Sequence, residues 1–255
     1  MKSITIAIAN QKGGVAKTTS TICLGGLLAS KANCLAIDLD PQGNLTTGLG
    51  IEITDEQPNC YDLITEQATV AEVVVPTSSG IDLVPADITL AKGETEILTQ
   101  VGNFFILKER LEPVLDRYSH ILIDCPPSLG LLTVNALSSA DVVLIPVQCQ
   151  FFALKGLASL IETIASVQKR LNPQLQILGI LPTMAEKTVM SRDIIQNLKQ
   201  RFPDTQILDP VPKSIQFAES NLAGEPIHSY TDRSQLIYPY RQITKLIQSQ
   251  FLAVV

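Results

Sequence analysis

Short apolar segments rich in β-branched residues alternate along the chain with longer segments whose apolar residues recur at helical spacing. Most of the short segments are continuously apolar, which is typical of parallel strands covered on both faces. The alternation predicts an α/β fold with a mostly parallel, twisted β-sheet flanked by helices on both faces. The predicted strands are 4–9, 34–38, 81–86, 120–125, 141–147, 175–181 and 205–210. The predicted helices are 17–30, 104–118, 129–139, 153–171, 189–201 and 240–253.

Low-complexity tracts, internal repeats and long linkers are absent from the sequence, so a single domain over 1–255 is expected. Segment 51–80 is the least regular part, with acidic and turn-forming residues, and its pattern predicts no role. The apolar run at the N-terminus continues directly into a glycine-rich loop, and we interpret it as a buried strand rather than a signal peptide. No apolar run reaches the ~18 residues of a membrane span.

Composition narrows the possible compartments and partners. The five cysteines are odd in number and scattered, without CxxC spacing, which favours buried thiols and a cytoplasmic location. The formal net charge of −6 argues against a globally basic nucleic-acid-binding protein, although it allows a local basic face.

The strand at 4–9 runs into the string NQKGGVAKTT and then into a helix. Gly13 and Gly14 allow a tight turn that presents backbone N–H groups to phosphate oxygens, and the helix adds its positive end. Lys17 is placed to reach the β- and γ-phosphates of a nucleotide, and the Thr18 hydroxyl to ligate Mg²⁺. The predicted nucleotide-binding residues of this loop are Gly13, Gly14, Val15, Ala16, Lys17, Thr18 and Thr19.

Carboxylates follow two further strands. Asp38 is the last residue of the strand at 34–38, and Asp40 follows it by two positions. Asp124 ends the apolar run HILID. Ligands of open α/β sheets bind at the carboxyl ends of strands, so these groups are expected beside the phosphates. A carboxylate there can orient a water for attack on the γ-phosphate or hold Mg²⁺ through a water. Surface turn formation remains the alternative for Asp38 and Asp40.

The string KGGVAKT resembles the deviant Walker A motif of the ParA/MinD group of P-loop ATPases. The resemblance implies that Lys12 is the signature lysine, which reaches across a nucleotide-sandwich dimer to the phosphates held by the partner. A solvated lysine beside the loop is the alternative. DLDPQGN resembles the switch I motif of this group, which implies that Asp40 lies at the attacking water and that Asp38 supports Mg²⁺ and water. HILID resembles Walker B, with Asp124 reaching Mg²⁺ through a water.

The resemblance to ParA/Soj-type proteins extends over about 3–250 and includes DCPPSLGLLTVNAL and PVPKSIQFAES. It implies ATP-driven homodimerisation and slow ATP hydrolysis stimulated by a ParB-like or McdB-like adaptor protein. It also implies a cargo such as a plasmid, a chromosome or, in the McdA branch, a carboxysome. Adenine is expected near Met184, Pro212 and Lys213. The chain resembles the short members, in which no helix-turn-helix domain precedes the first strand.

Three departures from the family pattern affect these expectations. Ala16 replaces the usual glycine, and its β-methyl is expected to require a negative φ. Lys155 stands where members often have glutamate, and it either reaches nucleotide or partner across the dimer or is solvated. The usual PRNVR reads PKSIQ, so that Lys213 and Gln216 replace two arginines, the second of which contributes to DNA binding in relatives.

Non-specific binding to nucleoid DNA needs clustered cations. Window 187–213 has five basic residues against three acidic ones, an excess of two in an acidic chain. A mixed-charge, solvated helix face is the alternative. The DNA-binding candidates are Lys187, Arg192, Lys199, Arg201 and Lys213.

Other classes of function remain open. A MinD-like membrane ATPase would need a basic amphipathic C-terminal helix. The C-terminal segment of this chain instead has an apolar stripe accompanied by only two basic residues, which favours packing of this stripe on the sheet. A regulatory module that uses nucleotide only as a switch is a second alternative. A cobyrinate-amidase-like or dethiobiotin-type enzyme would need a substrate pocket for which no motif is seen. A cytoplasmic, nucleoid-associated ATPase is therefore the leading hypothesis. The stripe consists of Ile243, Leu246, Ile247 and Phe251, with Arg241 and Lys245 as its charges.

Overall fold

A computed structural model describes residues 3–54, 56–150 and 153–251, without the side chains of 153–155. Its centre is a seven-stranded sheet in the order β3-β4-β2-β5-β1-β6-β7. All neighbouring strands are parallel except the short edge pair β3–β4. The predicted, mostly parallel sheet is confirmed. The strands are β1 Ile4–Ile8, β2 Cys34–Asp38, β3 Val75–Pro76, β4 Asp82–Val84, β5 His120–Asp124, β6 Val142–Gln148 and β7 Gln176–Thr183.

Helices cover both faces of the sheet. The long helices are α1 Lys17–Ala29, α7 Leu131–Ser139, α8 Ala153–Arg170, α9 Val189–Arg201 and α12 Ser234–Phe251. The shorter ones are α2 Asn44–Gly48, α3 Cys60–Ile64, α4 Val70–Val73, α5 Leu90–Ile97, α6 Ile106–Leu111, α10 Gln216–Leu222 and α11 Ile227–Tyr230; a 3-10 turn, Glu112–Val114, follows α6. None of the helices in the described ranges is long and apolar enough to cross a membrane.

Successive residues of β1 point to opposite faces and separate the core into two main layers. Ile6 and Ile8 belong to a cluster built with α1 and α12, whereas Ala7 belongs to a larger cluster built with α7 and α8. The C-terminal stripe packs in the first layer: Ile243 and Ile247 are buried there. The prediction that this stripe is a core face is therefore confirmed. The five cysteines are buried and free, also as predicted.

Three predicted elements differ in the structure. Segment 205–210 forms no strand, only an isolated bridge from Ile207 to Ile180, because Pro210 has no N–H to extend the ladder. The predicted helix at 104–118 ends at Leu111 and gives way to the 3-10 turn that contains Pro113. The C-terminal helix begins at Ser234 rather than at 240, with Pro239 inside it.

Segment 51–80 contains two short capped helices. The Asn59 side chain accepts a hydrogen bond from Tyr61 N, and Asp62 accepts one from Asn59 N at 2.8 Å. Thr69 and Glu72 form a second capping box at α4. Two acidic residues of this segment, Asp62 and Glu72, therefore cap helix termini.

Candidate nucleotide site

The carboxyl ends of the central strands open into a cavity of about 540 Å³. β1 lies between β5 and β6, so the loop after β1 stands at the point where chain connections diverge to the two sides of the sheet. The loops after β1, β2, β5 and β7, together with α10, form the cavity wall. The predicted site residues on this wall are Gly13, Gly14, Ala16, Lys17, Thr18, Thr19, Asp40 and Met184.

The loop before α1 forms a cradle on the open side of the cavity. Gly14 has a φ of +69°, and a Cβ at Gly13 or Gly14 would meet nothing within 4 Å. The backbone there is therefore open to a ligand, as a phosphate cradle requires. Lys17 is only 7% exposed, and its Nζ makes a long 3.4 Å bond to the Lys12 carbonyl. The Val15 side chain is buried, so this residue offers only its backbone.

Ala16 has the opposite sign of φ to that expected. Its φ of 69° and ψ of 36° lie in the left-handed region, immediately before the first residue of α1. The expectation of a negative φ is wrong because the turn from the cradle into the helix requires this conformation. The Ala16 carbonyl accepts from Ser20 N at 3.0 Å and so starts the helix. The β-methyl makes this turn more costly than glycine would.

We expect Ala16→Gly to raise the free energy of unfolding by about 0.5–1 kcal/mol, because relief of left-handed strain exceeds the added entropy of the unfolded chain. The melting temperature should rise by about 2 °C. Ala165→Gly is the matched control, since Ala165 is exposed within α8. Thermal denaturation should show destabilisation for this control. A melting temperature for Ala16→Gly that falls as far as the control's would contradict the strain argument.

Asp124 and Thr18 bring hard oxygen donors together at the inner end of the cradle. Thr18 Oγ1 lies 2.6 Å from Asp124 Oδ2, and Thr21 Oγ1 lies 3.4 Å from Asp124 Oδ1. Burial, with a smaller contribution from the Asp38 charge, raises the pKa of Asp124 to about 8. A cation would relieve the cost of the buried carboxylate, and this donor set fits Mg²⁺.

Within the described ranges, no three His, Cys, Asp or Glu residues are grouped to hold a metal.

Asp38 anchors the loop after β2. Its Oδ2 accepts from Thr46 N and Thr46 Oγ1, both at 2.8 Å, and its Oδ1 accepts from Asp40 N at 3.2 Å. Burial raises the pKa of Asp38 to about 6. Asp38 pairs with Asp124 in the register of β2 and β5 and does not line the cavity. Its contacts therefore support a positioning role. Thr46, which the sequence pattern did not indicate, also accepts from Ala86 N at 2.9 Å.

Asp40 lies on the cavity wall and is 7% exposed. Its Oδ1 accepts from Gln42 N at 3.0 Å, which orients the carboxylate. Gly43 follows with a φ of +62°, and a Cβ there would lie 2.7 Å from the Ala86 carbonyl oxygen. The loop that carries Asp40 is therefore closely packed against the loop after β4.

On the side of the cavity where adenine is predicted, the base side, Met184 lies on the wall with a φ of 51°. Pro212 and Lys213 run beside it through a bridge to Ala185 but do not line the cavity. Lys213 is 66% exposed and forms a 2.7 Å ion pair with Glu186. The structure thus brings one of the three predicted base-side residues to the cavity.

Helix α10 completes the wall, and sequence reasoning missed it. Ala218, Asn221 and Leu222 line the cavity. Asn221 Nδ2 donates to Thr19 Oγ1 at 3.3 Å, and its Oδ1 is buried without a partner among the described residues. An orphaned buried amide oxygen beside an open cradle is a group that a bound nucleotide can satisfy. Its only signal in the sequence is that it follows the family-like string PVPKSIQFAES.

Lys12 does not point into its own cavity. Its Nζ lies 3.3 Å from Gln148 Oε1 and 3.2 Å from Gln150 Oε1, both at the carboxyl end of β6. Lys17 supplies the cation inside the cavity, whereas the Lys12 ammonium stands outside it. The side chain of Lys155 lies outside the described part of the chain.

The predicted basic residues of α9 are exposed to solvent. Ile194 and Leu198 pack inward, so the opposite surface of the helix faces outward. Lys213 differs from the others because Glu186 pairs with it. The exposed candidates on and beside α9 are Lys187, Arg192, Lys199 and Arg201.

Comparison with known proteins agrees with this geometry. An AAA domain family model matches residues 3–177. The sporulation initiation inhibitor protein Soj of Bacillus subtilis is 42% identical over 243 residues, 94% of this chain and 96% of Soj. The complex of Cyanothece McdA(D38A) with ATP superposes with a TM-score of 0.91 at 26% identity, over 96% of both chains.

A cobyrinic acid a,c-diamide synthase from Mycobacterium smegmatis, bound to an ATP analogue and magnesium, is 33% identical with a TM-score of 0.85. The similarity covers 96% of this chain and 95% of that protein. The Soj match spans nearly the full length of both proteins. The cradle and Asp40 line one cavity, and Asp124 contacts Thr18 of the same cavity at 2.6 Å. The chain therefore belongs to the AAA-domain family of ParA/Soj-type partition proteins.

Proposed function

We propose that the protein is an ATPase that binds Mg-ATP, closes into a face-to-face homodimer and binds nucleoid DNA non-specifically. A ParB-like or McdB-like adaptor on a cargo triggers hydrolysis, so that the cargo is positioned or segregated. The observation that carries this proposal is the different placement of two lysine side chains: Lys17 lines the cavity, whereas the Lys12 ammonium lies outside it. The relatives bound to ATP and to an ATP analogue with magnesium support the choice of ligand.

Each residue has a defined task in this reaction. Gly13, Gly14 and Lys17 bind the phosphates through N–H groups and an ammonium, and Asp40 orients the attacking water. Thr18 and Asp124 would hold Mg²⁺, which neutralises charge on the phosphates. Lys12 is contributed by the other subunit, where a second ammonium stabilises the negative charge that develops during transfer.

The rim of the cavity is suited to contact with a second copy. Leu222 lines the cavity and is 91% exposed, and Met190, near the base side, is 54% exposed. Full burial of such side chains contributes roughly 1.5–3 kcal/mol each. A dimer closed over the nucleotide would cover them together with the open cradle.

We expect the protein to elute at twice its 27.6 kDa mass when saturated with Mg²⁺ and a non-hydrolysable ATP analogue, and as a monomer with ADP. Light scattering after gel filtration measures this. Lys17→Ala, which removes the cation from the cavity, is the control and should stay monomeric. A wild-type protein that remains monomeric with the analogue bound would contradict the proposed dimer.

The exposed basic surface of α9 is the proposed DNA contact. We expect Lys199→Glu with Arg201→Glu to weaken binding to non-specific duplex DNA at least about tenfold at low salt and to reduce the salt slope. ATP turnover without DNA should stay unchanged. Lys169→Glu with Arg170→Glu, at the exposed end of α8, is the matched control. Equal loss of binding in both double variants would reject α9 as the specific contact.

A further inference from the structure

The ammonium of Lys12 is held by neutral oxygens in the isolated subunit. Gln148 and Gln150 accept from it at 3.3 and 3.2 Å. The ion pairs recorded among the described residues, Lys92–Glu96, Arg110–Glu66 and Lys213–Glu186, all lie elsewhere. Amide oxygens hold a lysine less strongly than a carboxylate does, so the contact orients the side chain and still permits its release.

Gln148 also contacts the base side of the cavity. Its Nε2 donates to Met184 Sδ at 3.2 Å, while its Oε1 accepts from Lys12. The two ends of one half-buried amide therefore connect the lysine to a residue of the cavity wall. Gln148 pairs with Thr183 in the sheet, and Thr183 Oγ1 donates to the Val15 carbonyl at 3.0 Å. This hydrogen bond also ties the end of β7 to the cradle.

We propose that Gln148 is a positioning residue that couples occupancy of the base side of the cavity to the availability of Lys12 for the partner subunit. In the empty subunit the amide keeps the ammonium at the end of β6. A thioether sulfur is a weak acceptor, so a base that contacts Met184 readily displaces this bond. The amide then reorients, and Lys12 is released. The inference rests on the proposed role of Lys12 in trans.

Two variants shift the hold on Lys12 in opposite directions. Gln148→Glu places a carboxylate opposite the ammonium and should strengthen the hold. With saturating analogue, half-dimerisation should then need roughly tenfold more protein, which corresponds to about 1.4 kcal/mol. Met184→Leu keeps an apolar side chain but removes the sulfur acceptor, so that the amide is less well oriented. With saturating analogue, the base already displaces the bond from Gln148 to Met184 in the wild type, so half-dimerisation of Met184→Leu should need about the same protein concentration as that of the wild type.

Sedimentation over a protein concentration series measures dimerisation, and a fluorescent ATP analogue measures binding to the monomer. For Gln148→Glu, the nucleotide affinity of the monomer should change less than about twofold, since Gln148 does not line the nucleotide cavity. Gln100→Glu, at an exposed position after α5, is the charge-matched control and should leave dimerisation unchanged. Melting temperatures close to that of the wild type establish that the variants fold.

A double variant separates a role through Lys12 from a structural role. In a Lys12→Ala background, Gln148→Glu should have no further effect on dimerisation, because the group that it holds is gone. Additive effects, or equal shifts for Gln148→Glu and Met184→Leu, would overturn the inference. If Lys12→Ala itself dimerises normally, the proposed function fails instead. If Lys12→Ala is defective and Gln148→Glu behaves as wild type, only the coupling fails.

Discussion

Replacing Asp40 by alanine is expected to lower ATP turnover by at least about a hundredfold while the ATP-bound dimer accumulates, because the attacking water would lose the carboxylate that we propose orients it. Binding should persist, since the groups that we propose as phosphate ligands, the cradle and Lys17, are unchanged in this variant. Phosphate release measures the first effect, and gel filtration in the presence of Mg-ATP measures the second.

Asp40→Asn tests the same role without changing the loop. Asparagine can still accept the 3.0 Å hydrogen bond from Gln42 N, so only the negative charge is lost. We expect turnover in this variant to fall as it does in Asp40→Ala. Asp116→Ala, at an exposed position beyond the 3-10 turn, should turn over ATP normally. Wild-type turnover in Asp40→Asn would show that the carboxylate charge does not act on the water.

Lys12→Ala is expected to weaken dimerisation on ATP at least about tenfold, so that the dimer forms only at high protein concentration, and to lower turnover at least about a hundredfold, as removal of one transition-state donor does. Nucleotide affinity of the monomer should change little, because the Lys12 ammonium stands outside its own cavity. A fluorescent nucleotide analogue measures affinity, and sedimentation measures the dimer. This split between binding and assembly is the signature of a cation supplied by the other subunit.

Two further variants control this experiment. Lys12→Arg keeps a long cation and should restore part of the dimerisation. Lys108→Ala removes an exposed lysine of α6 and should change neither assembly nor turnover. A Lys12→Ala protein that binds nucleotide poorly but dimerises in proportion to occupancy would place the ammonium on its own nucleotide. The role in trans would then be wrong.

The sequence predicted the parts of the site that follow strands directly. Asp40 and Asp124 lie within two residues of the end of a buried strand, and Lys17 and Thr18 begin the helix after the cradle. Parallel strands bring their carboxyl ends to one edge of the sheet. The 2.6 Å contact between Thr18 and Asp124 joins residues 106 positions apart, because the register of β1 with β5 places Asp124 beside Ile8 and the cradle connects β1 to the helix of Thr18. Short-range spacing together with a predicted sheet was sufficient here.

The glycine-to-alanine change at Ala16 shows the limit of such reasoning. A preference of alanine for negative φ is a local property, but the loop closure that joins β1 to α1 sets the actual value of 69°. Helix α5 shows a similar override: it contains Gly93, where a Cβ would lie 2.9 Å from the Tyr61 ring. Packing against α3 decides this residue, and no local pattern indicates it.

By itself, the sequence determined the α/β class, the cradle and the carboxylates of the site, because these depend on periodicity and on residues adjacent to strands. Only the tertiary structure decided the far wall of the cavity, where Asn221 contacts Thr19 across 202 positions. The tertiary structure also decided where the Lys12 side chain points, because its ammonium contacts two glutamines at the end of β6. Such contacts depend on how distant segments pack, and this packing leaves no periodic signal in the chain.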